Sequence, residues 1–217
     1  MLSLFFQLFC LFSIFDYILV QYLNLNGVYF LLHFIHNMVI TYFTFPNIQA
    51  IFTNNGHGDS RLHGNVIPFV YALHTYHIFS YFPYLTKSDW LHHFYSMFIA
   101  VPLTALFFED EMQYLGMCLF FTTGLPGGIN YLLCFLYKNN WIVTKQKQIE
   151  YNALIQSWLR CPGITVTSGL VLQHVLKHSV FLSIEYLIGL AIFSILFWNG
   201  IFFQNQVLQT YYSKYKL

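Results

Sequence analysis

Seven long apolar segments, separated by short polar connectors, most constrain what this chain can fold into. Each meets or approaches the roughly 20 mainly apolar residues that a membrane-spanning helix needs. They cover about 2–22, 27–46, 66–84, 89–108, 112–137, 163–182 and 184–204. We therefore predict an all-α fold, a polytopic membrane helix bundle of about seven transmembrane helices, with six or eight also compatible with the pattern.

The scarcity of charge points the same way. Only 8% of the 217 residues are charged, whereas a soluble domain carries about 25%, so the chain cannot cover a water-facing surface. A net charge of +1 is too small for the basic patch by which proteins bind nucleic acid. The four cysteines lie far apart with no C-x-x-C pair, which predicts reduced packing residues and no metal site built on them.

The chain reads as one transmembrane domain over 1–217, because it has no short internal repeat or low-complexity tract. Its parts are an N-terminal span within 1–26 and a core over 27–217. The first span lacks a charged leader and a cleavage site, so we expect it to stay on the protein. Between spans five and six, a polar segment at about 140–160 repeats apolar residues at helical spacing. It predicts a helix lying in the membrane interface or, alternatively, one packed on the rest of the protein.

Positive charges predict the orientation of the bundle. With seven spans, one side receives seven of the nine lysines and arginines, and the other side receives Arg61 and Lys177. The richer side is cytoplasmic by the positive-inside rule. The C-terminus is then cytoplasmic, and the N-terminus is outside or lumenal.

Histidines inside apolar segments are the first candidate site residues, because ionisable groups in membrane spans usually face an interior or a wet cavity. His33 and His36 are spaced i,i+3, as are His74 and His77, so each pair shares one helix face. Such a pair can hold a metal or haem, or can exchange hydrogen bonds with neighbouring helices.

The stretch "TKSDWLHH" (86–93) predicts the start of a span and a second kind of histidine pair. Thr86 and Asp89 form a T-x-x-D capping box, and Asp89 is also one turn from His92 and His93, where it can fix an imidazole tautomer. Adjacent histidines point about 100° apart on a helix. They therefore suit two roles, one as a general base and the other positioning a substrate carbonyl.

The segment "TTGLPGGINYLL" (122–133) places three glycines and a proline inside an apolar run. Backbone freed in mid-membrane persists only where protein or a wet cavity satisfies it. We interpret the segment as a cavity wall with Asn130 and Tyr131 as its polar lining. The alternative is a close crossing against a neighbouring helix, which small residues allow.

Four features, taken in their order along the chain, resemble the TLC-domain family. They are "ALHTYHIFSYF", the basic turn before "KSDWLHH", the polar break before "YLL" and the closing "FWNGIFFQNQVLQTYYSKYKL". That family includes the ceramide synthases and the translocating-chain-associating membrane proteins. The resemblance covers roughly 27–217. "HVLKH" (174–178), with "HTYH" and "HH", resembles instead the histidine boxes of membrane di-iron enzymes, but the H-x-x-H-H box is absent.

The TLC resemblance implies a protein of the endoplasmic reticulum that binds or processes a lipid in an intramembrane cavity. If it is an enzyme, the resemblance implies N-acyl transfer with acyl-CoA as co-substrate and no resident cofactor or metal. His92, His93 and Asp89 are then the catalytic candidates, with His93 as base and His92 at the oxyanion. The candidate substrate-binding residues are His36, His74, His77, Asn130 and Tyr131. Asn130 stands where ceramide synthases carry an acidic residue, so the reaction stays open.

Two other functions remain open from the sequence. A non-catalytic accessory subunit of a larger membrane complex would suit the aromatic, nearly loop-free chain and would have protein partners besides membrane lipids. A haem- or metal-binding membrane protein would use the i,i+3 histidines.

Overall fold

The fold is helical throughout the part of the chain that the structure, a computed structural model, describes. That part comprises residues 2–53, 64–103, 112–141 and 143–215. Its regular elements are α-helices with short 3-10 and π-helical turns. The predicted all-α class is thereby confirmed.

In the first half of the chain, the described residues include four helices whose bounds are defined. Helix α4 continues without a break into a π-helical turn. The elements are α1 (Leu2–Gln21), α2 (Val28–Thr53), α3 (Val66–Tyr81), a 3-10 turn (Phe82–Tyr84), α4 (Lys87–His93) and the π-helical turn (Phe94–Ala100). Helix α2 passes through Pro46, so it runs beyond the predicted end of that span.

The described residues of the second half include five helices, and π-helical turns join two pairs of them. The elements are α5 (Met112–Leu119), a π turn (Phe120–Gly124), α6 (Leu125–Lys138), α7 (Lys145–Ile155), a π turn (Gln156–Arg160), α8 (Cys161–His178) and α9 (Ile184–Tyr215). The π turns widen the helix at the Gly-Pro segment and just before Cys161-Pro162, where proline cannot donate an ordinary helix hydrogen bond.

Four helical stretches are long and apolar enough to cross a membrane. They are Leu2–Gln21, Val28–Thr53, Tyr114–Lys138 and Ile184–Lys214. Large apolar side chains remain exposed along them, among them Phe6, Tyr42 and Leu187. A surface of this kind suits lipid better than water, so the chain has the helices of a membrane protein.

Three apolar clusters hold the helices together. The first joins α1 to α2 and α3 around Leu8, Phe12 and Tyr76. The second joins α2 and α3 to the π turn after α4 and to α5, around Ile40, Met97 and Leu119. The third joins α5 to α8 and α9. The first two clusters share Phe69 as a partly buried neighbour, and α5 contributes to both the second and the third.

Helices α2 and α6 cross closely at the Gly-Pro segment. A Cβ atom placed on Gly127 would lie 2.8 Å from Nδ2 of Asn37, and one on Gly124 would lie 3.1 Å from Oγ1 of Thr41. The glycines therefore serve the close crossing that was the alternative interpretation of this segment. Thr122 and Thr123, just before them, face the cavity described below.

The polar segment before α8 both packs and faces outward. Gln148, Ile149 and Ala153 of α7 are buried, and α7 contacts α6 and α9. Trp158 is 81% exposed, and Leu154 is also exposed. The helix therefore combines the packing of one interpretation with the outward apolar face on which the interfacial interpretation rests.

Candidate functional site

Five histidines from three helices form one buried cluster, which we call the histidine cluster. His33 and His36 lie on α2, His74 and His77 on α3, and His93 at the end of α4, and every one of them is less than 9% exposed. The i,i+3 spacing turns each pair toward the same neighbour. The two pairs and His93, which the sequence could only treat as separate features, therefore meet.

The ring contacts run as a chain through the cluster. The ring centroids of His33 and His77 are 5.3 Å apart, those of His77 and His93 are 5.0 Å apart, and those of His74 and His93 are 5.3 Å apart. His36 joins at its edge, with a centroid 6.4 Å from that of His74. His93 thus contacts both histidines of α3.

Backbone carbonyls fix the tautomers of two of these rings. Nδ1 of His33 lies 2.8 Å from the carbonyl oxygen of Tyr29, and Nδ1 of His74 lies 2.7 Å from that of Val70. A carbonyl oxygen only accepts, so both Nδ1 atoms donate. In the neutral rings Nε2 then carries the lone pair. His74, whose ring contacts that of His93, therefore carries its basic nitrogen at Nε2 when it is neutral.

Two tyrosines close the cluster. The ring of Tyr29 lies 4.0 Å from His33 and 4.7 Å from His77, measured between centroids. The ring of Tyr131 on α6 lies 4.7 Å from His33. Of the two predicted polar residues of this segment, Tyr131 therefore belongs to the cluster. Asn130 instead accepts a hydrogen bond from Nε2 of Gln148 at 3.2 Å, on the side of α7.

An apolar cavity adjoins the histidine cluster. Its empty volume is about 960 Å³, including the part that opens outward. Helices α3, α5 and α9 contribute most of its wall, which includes Val70, Leu115, Cys118, Ile192, Leu196 and Phe203. His74 lines the cavity and also contacts His93. A ligand in the cavity would therefore reach the cluster through His74.

The cavity opens sideways between α4 and α9. A second, outer pocket shares Leu91, Tyr95 and Trp198 with the cavity wall and adds Ser194. Leu91 and Trp198 are 40% and 43% exposed. In a membrane this opening would face lipid acyl chains, not water.

Neither a protein-family model, nor a characterised protein, nor a solved structure matches the chain. The resemblance to the TLC-domain family therefore stays a prediction. The interpretation of the site depends on the geometry of the cluster and the cavity.

The remaining predicted residues either lie apart from the histidine cluster or have side chains outside the described part of the chain. The side chains of Asp89 and His92 fall outside the described part of the chain, so their predicted roles stay predictions. His174 of "HVLKH" stacks on His178, with centroids 4.7 Å apart, and also contacts Tyr114. Within the described ranges no group of three or more His, Cys, Asp or Glu side chains is placed to hold a metal ion.

Sequence reasoning missed a polar group at another edge of the cavity. Gln156 is 1% exposed, and neither its Nε2 atom nor Nε of Arg160 has a hydrogen-bond partner among the described residues. Asn199 lines the cavity, and its buried Oδ1 atom likewise has no hydrogen-bond partner among the described residues. Arg160 was interpreted only as a charge that sets orientation. The proline after Cys161 was the one signal of a local irregularity there.

Proposed function

We propose that this chain is a TLC-like membrane protein that holds a lipid acyl chain in the cavity and processes it at the histidine cluster. The observation that carries the proposal is that His74 belongs to both features. An apolar wall suits an acyl chain, and a few convergent polar groups at one edge suit the reacting end.

The reaction that the site supports best is acyl transfer from a thioester to a lipid amine. The amine nitrogen bonds to the thioester carbonyl carbon, and the carbon–sulfur bond breaks. An imidazole accepts the proton released from nitrogen and returns it to the thiolate. His93 is the proposed base, as in the family resemblance. His74 can take over its proton because its Nε2 atom carries the lone pair.

The proposal includes a wider setting. The bundle crosses the membrane of the endoplasmic reticulum seven times, with its C-terminus in the cytoplasm. Lipid enters through the lateral opening between α4 and α9. No metal takes part in this scheme, and acyl-CoA is the co-substrate.

The test is acyl transfer by the purified full chain in lipid nanodiscs, supplied with oleoyl-CoA and a long-chain amine. We expect His93→Ala and His74→Ala each to lower the rate at least about a hundredfold, as removal of a general base does. The control is His178→Ala, which removes an exposed histidine outside the cluster.

A second variant tests the cavity without touching the histidines. Thr123→Trp places a large side chain in the cavity wall, so it should exclude the acyl chain and abolish turnover. Turnover that persists in His93→Ala at the normal rate would contradict the mechanism. Turnover that persists in Thr123→Trp would contradict the use of the cavity.

A further inference from the structure

The polar group around Arg160 lies where the cavity wall meets α7 and α8. The guanidinium carbon of Arg160 lies 5.3 Å from the ring centroid of Phe203, and Phe203 lines the cavity. Asn199, one turn earlier on the same face of α9, lines it as well. The charge of Arg160 is thus separated from the cavity by one aromatic ring.

The fold brings these residues together through the π turn. Gln156 and Arg160 are four residues apart in that turn, so they project to nearly the same side. The turn contacts α9 and α6. Just beyond the turn, Gly200 of α9 faces α8, and a Cβ atom there would lie at ordinary contact distance, 3.4 Å from Ile164 and 3.8 Å from the carbonyl oxygen of Cys161.

The positive charge of Arg160 lacks a counter-ion among the described side chains. Among the described residues, the ion pair that is present joins Lys147 to Glu150 and does not involve Arg160. Burial lowers the pKa of the Arg160 guanidinium, while Tyr131 and Cys118 nearby raise it. Arginine nevertheless stays protonated in proteins. The Nε atom of Arg160 is buried, whereas the residue as a whole is partly exposed. A partly desolvated cation without a paired anion is costly, and an anionic ligand would reduce that cost.

The unsatisfied atoms indicate the chemistry of the ligand. Gln156 and Arg160 offer donors, and guanidinium donors match the oxygens of carboxylates and phosphates. The amide of Asn199 can present either its oxygen or its nitrogen, since the two are assigned from the hydrogen-bond network. The three side chains can therefore surround an acidic oxygen group at the edge of an apolar cavity.

We infer that Gln156, Arg160 and Asn199 bind the acidic head group, carboxylate or phosphate, of a single-chain lipid whose tail occupies the cavity. This inference rests on the proposed function, because the ligand uses the same cavity. It adds to the proposed function the class of lipid, a single-chain lipid with an acidic head group. Tyr131 lies near both Arg160 and His33, so the head group would sit between the cavity and the histidine cluster.

The test is equilibrium binding to the full chain in phosphatidylcholine nanodiscs, without any acyl acceptor. Radiolabelled oleate, oleoyl lysophosphatidate and oleyl alcohol supply the same chain with a carboxylate, a phosphate or a neutral head. Arg160→Gln should weaken binding of at least one acidic probe by about tenfold or more, which is about 1.4 kcal/mol. The affinity of Arg160→Gln for oleyl alcohol should stay within about twofold of the wild-type affinity.

Two further variants make the result specific. Arg160→Lys keeps the charge but loses the planar guanidinium donors, so its affinity for the acidic probe should lie between those of the wild type and Arg160→Gln. Lys147→Gln removes an exposed charge and should change nothing. The acidic probe that responds to Arg160→Gln identifies the head group as carboxylate or phosphate.

Unchanged binding of both acidic probes to Arg160→Gln would overturn the inference. An equal loss of acidic and neutral probes would also overturn it, because the effect would then be one of cavity shape. The outcomes are independent of catalysis. If binding depends on Arg160 but turnover does not depend on His93, only the proposed reaction is contradicted. If turnover depends on His93 but binding does not depend on Arg160, only the head-group site is contradicted.

Discussion

His36 illustrates how a polar side chain is held in the apolar interior. It is 1% exposed. Its Nε2 atom lies 3.2 Å from the carbonyl oxygen of Phe69, and its Nδ1 atom lies 2.9 Å from the side chain of Asn37. The bond to Phe69 ties α2 to α3 beside the histidine cluster, and the contact with Asn37 lies within α2. We interpret His36 as a residue that positions the cluster, since among the five histidines it lies at the edge.

His36→Leu tests this interpretation at the residue scale. Leucine fills a similar volume but leaves Asn37 without its neighbour, so the protein should lose about 1 kcal/mol of stability. The measurement is thermal unfolding in a fixed detergent, compared with His178→Leu, which should leave the melting temperature unchanged. Equal stability of His36→Leu and the wild type would show that the two bonds contribute nothing net.

At the scale of elements, the contact between α2 and α6 depends on the glycines of α6 and of the π turn before it. The close approach at Gly127 brings Asn37 and Tyr131 to the histidine cluster, where Asn37 contacts His36 and Tyr131 contacts His33. Pro126 lies in the first turn of α6, where a missing N–H group is tolerated. A larger residue at this crossing would separate the helices and move the ring of Tyr131 away from His33.

Gly127→Ala should therefore destabilise the bundle by about 1–2 kcal/mol, because the added methyl forces Asn37 to move. Gly169→Ala is the matched control. Nothing lies within 4 Å of the Cβ position there, so alanine should be neutral or stabilising through its helix propensity. The measurement is the melting temperature of each variant relative to the wild type, in the same detergent. A larger loss for Gly169→Ala would contradict the assigned crossing.

The order of the helices fixes, for the whole molecule, which connectors share an end of the bundle. Asn26, between α1 and α2, donates its backbone amide to Oδ1 of Asn139 at 3.0 Å, and Nδ2 of Asn139 donates to the carbonyl oxygen of Asn26 at 2.8 Å. Asn139 follows α6. The connector between α8 and α9 follows the 18 residues of α8, which as a straight helix span about 27 Å, so we expect it at the opposite end.

Cysteine labelling tests this arrangement in sealed vesicles. In a background without native cysteines, Tyr22→Cys and Gln146→Cys should react with a membrane-impermeant maleimide from the same side, and Val180→Cys should react only from the other. All three positions are exposed, so burial does not limit the reaction. Labelling of Val180→Cys together with Tyr22→Cys would contradict a crossing by α8.

The sequence alone determined the helical class and the approximate extent of most helices. Apolar run length and local breakers decide these, and α1, α3 and α6 end within a few residues of the predicted windows. Helix α2 differs because its predicted window ends at about residue 46, whereas the helix continues through Pro46 to Thr53. The capping pattern likewise predicted that α4 begins near Lys87, where it does begin.

Only the tertiary structure decided that the histidine pairs of α2 and α3 meet His93, and that Arg160 lies behind Phe203 beside an apolar cavity. Spacing within one helix shows which side chains share a face. It does not show which face of another helix they meet, because that depends on helix rotation, on crossings such as the one at Gly127, and on the π turns that reset the register. A site assembled from several helices is therefore fixed by packing between segments distant in the chain.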